Sequence, residues 1–264
     1  MRITFTLDLE AHAPPGQRSR HGAATRDLLD RLARLGVRGT VFAVGELAEA
    51  EPDLIRAISR RGHEVGLHGW NHDPLPEVGP ARFREDTARG KKLLEELTGT
   101  PVTGYRAPMF SLVPQSRWAT DSLTELGFAY SSSVLPARSP LFGDPSSPTV
   151  PFRWPSGLLE LPSPVARVGP IGVPYLGGTY LRMLPSPVIA ALRAVFDRDQ
   201  ALWTYSHPYD FDPDEPRWTD PSVGRLGSPL LWYGRRRAWA KLARLLRDAA
   251  PPLGERLDEL SPPS

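Results

Sequence analysis

The sequence predicts an α/β fold built from repeated strand–helix units whose strands are parallel. Three observations indicate this fold. Short apolar segments of strand length alternate with segments of helical periodicity, each early helical segment ends at a glycine, and a new strand follows each of these glycines. Doubly wound sheets and (β/α) barrels share this alternation, so the spacing alone leaves both architectures open.

The first five predicted strands are short and rich in β-branched or aromatic residues. They cover Ile3 to Leu7, Gly39 to Val44, His63 to Leu67, Val102 to Arg106 and Phe128 to Ser131. Apolar residues at helical spacing predict the helices between them, which cover Thr25 to Leu35, Pro52 to about Arg61, Pro80 to Leu97 and Pro114 to Leu126. Later in the chain we expect a helix over Val188 to Phe196, a strand over Ala201 to Tyr205 and a final helix over Tyr233 to Ala249.

Residues 135–187 interrupt the alternation because they contain twelve prolines. Proline breaks helices and central strands, so this segment is predicted to form ordered loops and short edge strands. Interleaved aromatic side chains argue against disorder. Since no internal repeat or second boundary is visible, we predict a single domain over residues 1–264, with a loop insertion at 135–187 and a C-terminal cover helix at 233–249.

The composition excludes several classes of function. The chain has no cysteine, which excludes disulfide scaffolds, thiol catalysis, zinc–thiolate sites and iron–sulfur clusters. With 32 basic and 30 acidic residues the net charge is +2, so nucleic acid is not expected as a partner. The chain begins with a strand-like segment rather than a signal sequence, and no segment has the ~20 apolar residues of a spanning helix. A cytoplasmic location is therefore expected.

Polar side chains follow the first and third predicted strands. Asp8 and Glu10 are two residues apart, so their carboxylates face the same side of the first strand. The spacing of His68 and His72 lets both imidazoles reach one ion. Because parallel strands end at a common rim, we expect Glu10, His68 and His72 to form a two-histidine, one-carboxylate set typical of catalytic zinc.

Two further strand ends carry reactive groups. Arg106 ends the fourth predicted strand and brings a fixed cation toward the carboxylates. His207 follows the late strand, where an imidazole separate from the metal pair is suited to general acid catalysis. His63 is expected in the core because it lies inside a strand, whereas His12 and His21 flank a loop that is expected to be solvated.

In this order, the motifs resemble those of the polysaccharide deacetylase (NodB-homology) family of carbohydrate esterases. The branch with an Asp-x-Glu first motif and an additional C-terminal segment, found in exopolysaccharide gene clusters, is the most similar. The commonest family pattern has two adjacent aspartates in the first motif, and this chain departs from it. The resemblance covers about residues 3–247 and rests on the strings Thr6-Leu7-Asp8-Leu9-Glu10, Gly39-Thr40-Val41-Phe42-Ala43-Val44-Gly45, His63-Glu64-Val65-Gly66-Leu67-His68-Gly69-Trp70-Asn71-His72, Tyr105-Arg106-Ala107-Pro108, Tyr130-Ser131-Ser132-Ser133, Leu159-Glu160-Leu161-Pro162 and Tyr205-Ser206-His207-Pro208.

The resemblance implies a distorted, incomplete (β/α) barrel of the seven-stranded type, with long proline-rich loops and the site at the strand C-termini. It also implies a catalytic domain that hydrolyses an N-acetyl group of an amino sugar with a divalent metal, Zn²⁺ being the first choice. By position, the resemblance assigns metal binding to Glu10, His68 and His72, general base to Asp8, support of that base to Arg106, and protonation of the leaving amine to His207.

Further residues are expected around the substrate. The family resemblance implies that backbone near Tyr130 contributes to the oxyanion hole and that Glu160 pairs with the catalytic histidine. Trp154, Tyr175 and Tyr180 are expected either to stack on sugar faces or to hold the loops to the barrel.

The predicted substrate is an amino-sugar polysaccharide or a lipid-linked oligosaccharide precursor. Two alternatives on the same fold stay open: ring-opening hydrolysis of cyclic amides or ureides, and non-catalytic glycan binding. The segment Arg235 to Arg247 carries six basic residues. It is interpreted either as a peripheral contact with anionic membrane lipid or as a cover helix with a solvated basic face.

Overall fold

The computed structural model describes residues 2–14, 16–169, 171–196, 201–221 and 223–262. Its strands are β1 (Ile3–Leu9), β2 (Gly39–Ala43), β3 (Glu64–Leu67), β4 (Gly104–Tyr105), β5 (Tyr130–Ser131), β6 (Phe152–Arg153), β7 (Leu159–Glu160), β8 (Ala166–Val168), β9 (Ile171–Val173) and β10 (Ala249–Ala250). Eight of them form one curled sheet in the order β10-β1-β2-β3-β4-β5-β7-β6. β6 pairs antiparallel with β7, whereas the other neighbours in this sheet are parallel. The strands β8 and β9 form a separate antiparallel pair.

The α-helices lie between and after the strands. They are α1 (His21–Arg34), α2 (Gly45–Ala50), α3 (Pro52–Arg60), α4 (Leu75–Val78), α5 (Pro80–Thr98), α6 (Ala119–Glu125), α7 (Gly178–Met183), α8 (Ser186–Phe196), α9 (Gly224–Trp232), α10 (Arg235–Leu245) and α11 (Leu257–Leu260). Helices of the described residues are all too short or too polar to cross a bilayer.

The strand β1 is buried on both faces, as expected for a parallel sheet that is covered on both sides. On one face its apolar residues join a core cluster with leucines of α1 and aliphatic residues of α3. On the other face Thr4, Thr6 and Asp8 point into the space enclosed by the curled sheet. Thr6 and Asp8 both accept hydrogen bonds there from Arg106. The alternation of β1 therefore separates the packed outer layer from a polar interior.

The α/β class and the distorted, incomplete barrel predicted from the sequence are confirmed. The sheet contains an eighth strand because β6 turns back beside β7. The predicted strand at Ala201 to Tyr205 makes an isolated parallel bridge from Trp203 to Thr4 of β1, extended by a hydrogen bond from the Asp8 backbone N–H to the Ser206 carbonyl. This pairing leaves His207 at the same rim as Asp8.

Five helices of the described residues were not predicted, namely α2, α4, α7, α9 and α11, and the final predicted helix is shorter than expected. α7 lies within the proline-rich segment, in residues 175–184, which contain no proline. α9 contains Pro229 and two glycines, which obscure its helical pattern. The helix expected over Tyr233 to Ala249 is α10, which ends at Leu245 and is followed by a single 3₁₀ turn.

Candidate active site

The two predicted motifs meet at one rim of the sheet because β1, β2 and β3 are in parallel register. Leu9 pairs with Ala43, and Ala43 pairs with Leu67. Glu10 directly follows β1 and His68 directly follows β3, so both residues leave the sheet at the same level. This is the C-terminal rim, where βα folds carry their functional groups.

A tight loop returns the second imidazole to the first. Gly69 has a φ of 72° and His72 a φ of 64°, and both values lie in the left-handed region. Glycine adopts this conformation freely, but a histidine does so at an energetic cost, which indicates that the surrounding loop fixes its position. As a result, the ring centroids of His68 and His72 are 5.1 Å apart.

The three sequence-predicted metal ligands converge on one point. Nε2 of His72 is 2.5 Å from Oε2 of Glu10, and Nε2 of His68 is 3.8 Å from the same oxygen. One ligand atom from each of the three residues lies within 4.8 Å of the others. Two imidazole nitrogens and a carboxylate oxygen at this separation fit a divalent cation with ligand distances of ~2.0–2.2 Å.

The surrounding protein orients these ligands. Nδ1 of His68 lies 2.9 Å from the backbone carbonyl of Arg106, so Nδ1 carries the proton and Nε2 is left with a free lone pair. Burial alone would raise the pKa of Glu10, but the nearby charges of His72 and His207 lower it overall. The Glu10 carboxylate is thus held ionised, the state that binds a cation.

Asp8 is held by one buried arginine. Its Oδ1 is 2.6 Å from Nη1 of Arg106, and both side chains are almost fully buried. The same guanidinium donates to Thr6 and, through Nε and Nη2, to the backbone carbonyl and hydroxyl of Ser132. Asp8 therefore has a fixed orientation toward the interior rim.

Aromatic rings complete the environment of Arg106. The guanidinium carbon lies 4.1 Å from the ring centroid of Phe42 and 4.2 Å from that of Trp203. This double stacking stabilises a desolvated cation through the ring quadrupoles and is specific to a planar guanidinium.

His207 is supported from the C-terminal half of the chain. Its Nδ1 is 3.0 Å from Oδ2 of Asp210, and Oδ1 of Asp210 is 2.8 Å from Nε of Arg182. Nε2 of His207 lies 3.9 Å from Glu10, so the imidazole faces the metal ligands. Burial alone would lower the pKa of His207, but the charges of Glu10 and Asp210 raise it to about 9. The imidazole is therefore protonated at neutral pH.

The carboxylate that contacts His207 is Asp210, not the predicted Glu160. Glu160 is fully buried and accepts hydrogen bonds from the backbone N–H groups of Ser133 and Val134 and from the Trp154 indole. Its role is to tie the segment after β5 to β7. The partner of His207 is Asp210, which was expected to lie in a loop.

Three of the four aromatic residues expected near substrate have buried side chains that cannot stack on a sugar. The Tyr130 hydroxyl donates to Glu64 inside the sheet, and Trp154 packs on Phe152. Tyr175 is fully buried in the main core cluster. Tyr180 is the exception, with 40% of its surface exposed. Trp154 and Tyr175 therefore pack between the loops and the barrel, whereas Tyr130 lies within the sheet.

Sequence reasoning missed the residues that surround His207. Asp210 follows it by three positions in a 3₁₀ turn that begins with Pro208, and its Oδ2 also accepts the His207 backbone N–H. Proline at the first position of a turn and a carboxylate at the third is a recognisable capping pattern, so a local signal was present. No local signal points to Arg182, because it comes from the unpredicted α7.

The first loop is packed rather than solvated, contrary to expectation. Nδ1 of His12 lies 2.8 Å from Glu215, and the ring lies 4.4 Å from that of Tyr209. Tyr209 in turn stacks on His207 at 4.7 Å, with an angle of 3° between the planes. His21 is similarly enclosed and lies 3.1 Å from Glu51. The loop after β1 thus forms one wall of the site.

An open cleft adjoins Glu10 and His72, two of the candidate metal ligands. It has a volume of about 390 Å³, and its lining includes Glu10, His72, Val44, Leu47 and Asn71. The lining combines apolar and polar side chains, and neither Asp8 nor His207 belongs to it.

Two family models match successive parts of this chain. Residues 13–130 match the family described as "Polysaccharide deacetylase". Residues 132–250 match a "Domain of unknown function (DUF3473)". The boundary between the two matches falls at β5, so both contribute strands to the same sheet.

Known proteins resemble this chain in part. A peptidoglycan-N-acetylglucosamine deacetylase from Bacillus cereus is 31% identical over 98 residues, which are 37% of this chain and 36% of that protein. The matched stretch thus spans about a third of that relative's length. A solved structure assigned to the polysaccharide deacetylases, from Mycobacterium smegmatis, has a TM-score of 0.64 at 23% identity and covers 98% of this chain and 89% of its own.

A second solved structure, the PuuE allantoinase, has a TM-score of 0.57 at 18% identity and covers 94% of this chain and 91% of its own. At these identities the two structural matches establish the shared fold alone.

Proposed function

We propose that this protein is a metal-dependent hydrolase that removes N-acetyl groups from an amino-sugar polysaccharide or a lipid-linked oligosaccharide. One observation carries the proposal: three metal-type ligands lie between a carboxylate fixed by an arginine and an imidazole fixed by a carboxylate. Hydrolysis of an unactivated amide needs a base for water, stabilisation of the carbonyl oxygen and an acid for the amine. The three groups of the site supply these functions.

Glu10, His68 and His72 would hold the ion, with Zn²⁺ proposed because imidazole and carboxylate are its usual catalytic ligands. When bound, such an ion lowers the pKa of water toward ~7 and polarises the acetyl carbonyl. The proposed role of Asp8 is to accept a proton from the attacking water. Arg106 keeps that carboxylate oriented through the short contact between Nη1 and Oδ1.

The proposed acid is His207. Water adds to the acetyl carbon, the C–N bond breaks, acetate leaves, and the departing amine takes the proton from Nε2 of His207. Asp210 holds Nδ1, which leaves Nε2 directed at the site. A positioned acid or base of this kind contributes about 10²–10⁴-fold to the rate.

The same side-chain pairs bear on the two alternative functions, glycan binding without catalysis and ring-opening of a cyclic amide. Non-catalytic glycan binding would need neither the Asp8–Arg106 pair nor the His207–Asp210 pair, so their buried, hydrogen-bonded construction favours catalysis. Ring-opening of a cyclic amide would use the same three functions on a small closed substrate. The open cleft beside Glu10 favours a glycan, although a screen must include both substrate types.

We further propose that residues 1–264 act as one catalytic domain. The support comes from the site itself: residues 8–72 supply Asp8 and the proposed metal ligands, and residues 132–250, matched as a domain of unknown function, supply His207, Asp210 and Arg182. Neither segment holds both the base and the acid.

The direct test is acetate release from N-acetylglucosamine oligomers, acetylated polymers, lipid-linked amino sugars and cyclic amides, with and without a chelator. The proposal expects release from at least one acetylated amino sugar, loss of activity with chelator and recovery on adding Zn²⁺. His68→Ala should lose the bound ion by elemental analysis, whereas His63→Ala, a matched histidine outside the site, should retain it. Chelator-insensitive turnover or unchanged metal content in His68→Ala would contradict the metal site.

A further inference from the structure

The helix α9 presents an apolar face to solvent. Leu226 and Leu230 lie one helical turn apart and are 96% and 44% exposed, and Tyr233, directly after the helix, is 57% exposed. The opposite face of α9 is anchored, because Ser228 and Trp232 are buried. Large apolar side chains arranged in this way on one anchored helix are typical of an interaction surface rather than of isolated surface residues.

An arginine-lined cleft lies at the end of this face. It has a volume of about 890 Å³, and Tyr233 belongs to its lining. None of its lining residues is acidic. Four exposed arginines in the lining form no ion pair with any described residue: Arg217, Arg236, Arg237 and Arg244.

The other basic side chains of this cleft already have ion-pair or hydrogen-bond partners. Arg182 is paired with Asp210, and Arg235 with Glu215 at 2.6 Å. Lys241 donates to carbonyls at the end of α7, including those of Arg182 and Leu184. The basic segment identified in the sequence therefore divides into a structural half that holds α10 against α7 and an unpaired half that is free to bind an anion.

We propose that the α9 face and the cleft arginines together form a docking surface for the headgroups of an anionic lipid bilayer. An apolar strip flanked by unpaired arginines fits the boundary between acyl chains and acidic headgroups. A second copy of this chain would bring the same arginines against each other, which opposes self-association through this face.

Docking here would bring the site close to the membrane. Arg182 lines the cleft and also holds Asp210, the carboxylate that supports His207. The docking surface and the acid side of the active site therefore share one wall. The lipid-linked form of the proposed substrate would be presented beside this wall, a consequence that rests on the proposed function, whereas docking itself does not.

The test is co-sedimentation of the full chain with vesicles of phosphatidylcholine containing phosphatidylglycerol, compared with vesicles of phosphatidylcholine alone. We expect binding to the anionic vesicles only, weakened by salt. The double substitution Arg236→Glu with Arg237→Glu should lower the partition coefficient roughly tenfold or more, since each basic residue near the surface contributes separately. Leu226→Ser should weaken binding without changing its salt dependence.

The matched control reverses the charge of two unpaired arginines outside the docking surface. Arg34→Glu with Arg60→Glu produces the same change in net charge on exposed ends of α1 and α3, and should bind like the wild type. Acetate release from a soluble substrate should be unchanged in all of these variants, which separates this proposal from the proposed function. Equal binding to both vesicle types, or equal losses in the control and the cleft variant, would overturn the docking surface.

A second copy of this chain is the alternative occupant of the α9 face. Sedimentation velocity should give a monomer for both the wild type and Leu226→Ser. A wild-type dimer that Leu226→Ser dissociates would assign the α9 face to a second copy and refute the membrane proposal.

Discussion

Replacing Asp210 by asparagine tests the support of His207 with almost no change in shape. In the wild type, Oδ2 accepts from both the backbone N–H and Nδ1 of His207, while Oδ1 faces Nε of Arg182 at 2.8 Å. An asparagine has one acceptor oxygen and one NH₂ group. If its oxygen faces His207, its NH₂ group faces the arginine, and two donors oppose each other.

The magnitude of the stability loss follows from the burial of this pair. Both Asp210 and Arg182 are 2% exposed. Burial alone would raise the pKa of Asp210, but the charges of Arg182 and His207 lower it to about 2. A pKa below the ordinary ~4 corresponds to about 2 kcal/mol in favour of the folded state, and an unpaired buried charge typically costs 3–5 kcal/mol. We expect a loss of about 3 kcal/mol, a fall in Tm of roughly 6–10 °C for a chain of this size.

The catalytic effect is separate from the stability effect. Without the Asp210 carboxylate, the pKa of His207 should fall from its raised value. The acid must be protonated to act, so the basic limb of the pH–rate profile should move to lower pH. We also expect kcat to fall by about 10²-fold, with a smaller change in KM, because the loss concerns a proton transfer.

Asp144→Asn is the matched control. Asp144 is also buried and pairs with an arginine, Arg117 at 3.0 Å, but it lies outside the site. It should lose stability without a shift in the pH–rate profile. If Asp210→Asn retained the wild-type profile and kcat while losing only stability, the assignment of Asp210 as the positioning residue of His207 would be refuted.

Two further substitutions test other parts of the structure. His63 is buried, and burial with the nearby charges of Arg61 and Arg38 lowers its pKa to about 4. The neutral ring is favoured in the folded state, so the free energy of unfolding should fall by about 3 kcal/mol as pH decreases from ~6.5 to ~4, and urea titrations of His63→Gln should lack this component. If the free energy of unfolding of His63→Gln depended on pH as in the wild type, His63 would not be the source of that dependence. Arg106→Lys should lower kcat/KM by about 10²-fold or more while metal content stays constant, because a lysine cannot make the same fork of hydrogen bonds to Asp8 and Ser132. A lysine variant with wild-type kcat/KM would exclude a role for guanidinium geometry.

The sequence was sufficient to predict that Glu10, His68 and His72 converge, because the geometry of this cluster is local to regular elements. Two-residue alternation on β1 places Asp8 and Glu10 on one face, and the parallel register of β1 to β3 brings His68 to the same level. Period and register are properties that a sequence pattern carries directly. The position of the site at the strand C-termini follows from the same properties.

The support of His207 could not be predicted in the same way. Arg182 reaches Asp210 from a short helix flanked by prolines, across a gap in the sequence of 28 residues that no periodic pattern spans. Likewise, Trp154 and Tyr175 occur in loops, where composition does not reveal whether an aromatic ring faces the core or the solvent. Long-range packing decides both cases.

The most direct test of the proposed hydrolysis measures acetate release and bound metal in the same Asp8→Asn preparation. The proposed base lies outside the ligand set Glu10, His68 and His72. We therefore expect the variant to retain the metal content of the wild type and to lose acetate release by about 10²–10⁴-fold. Retention of wild-type turnover with full metal content would contradict the assignment of Asp8 as the base and the mechanism built on it.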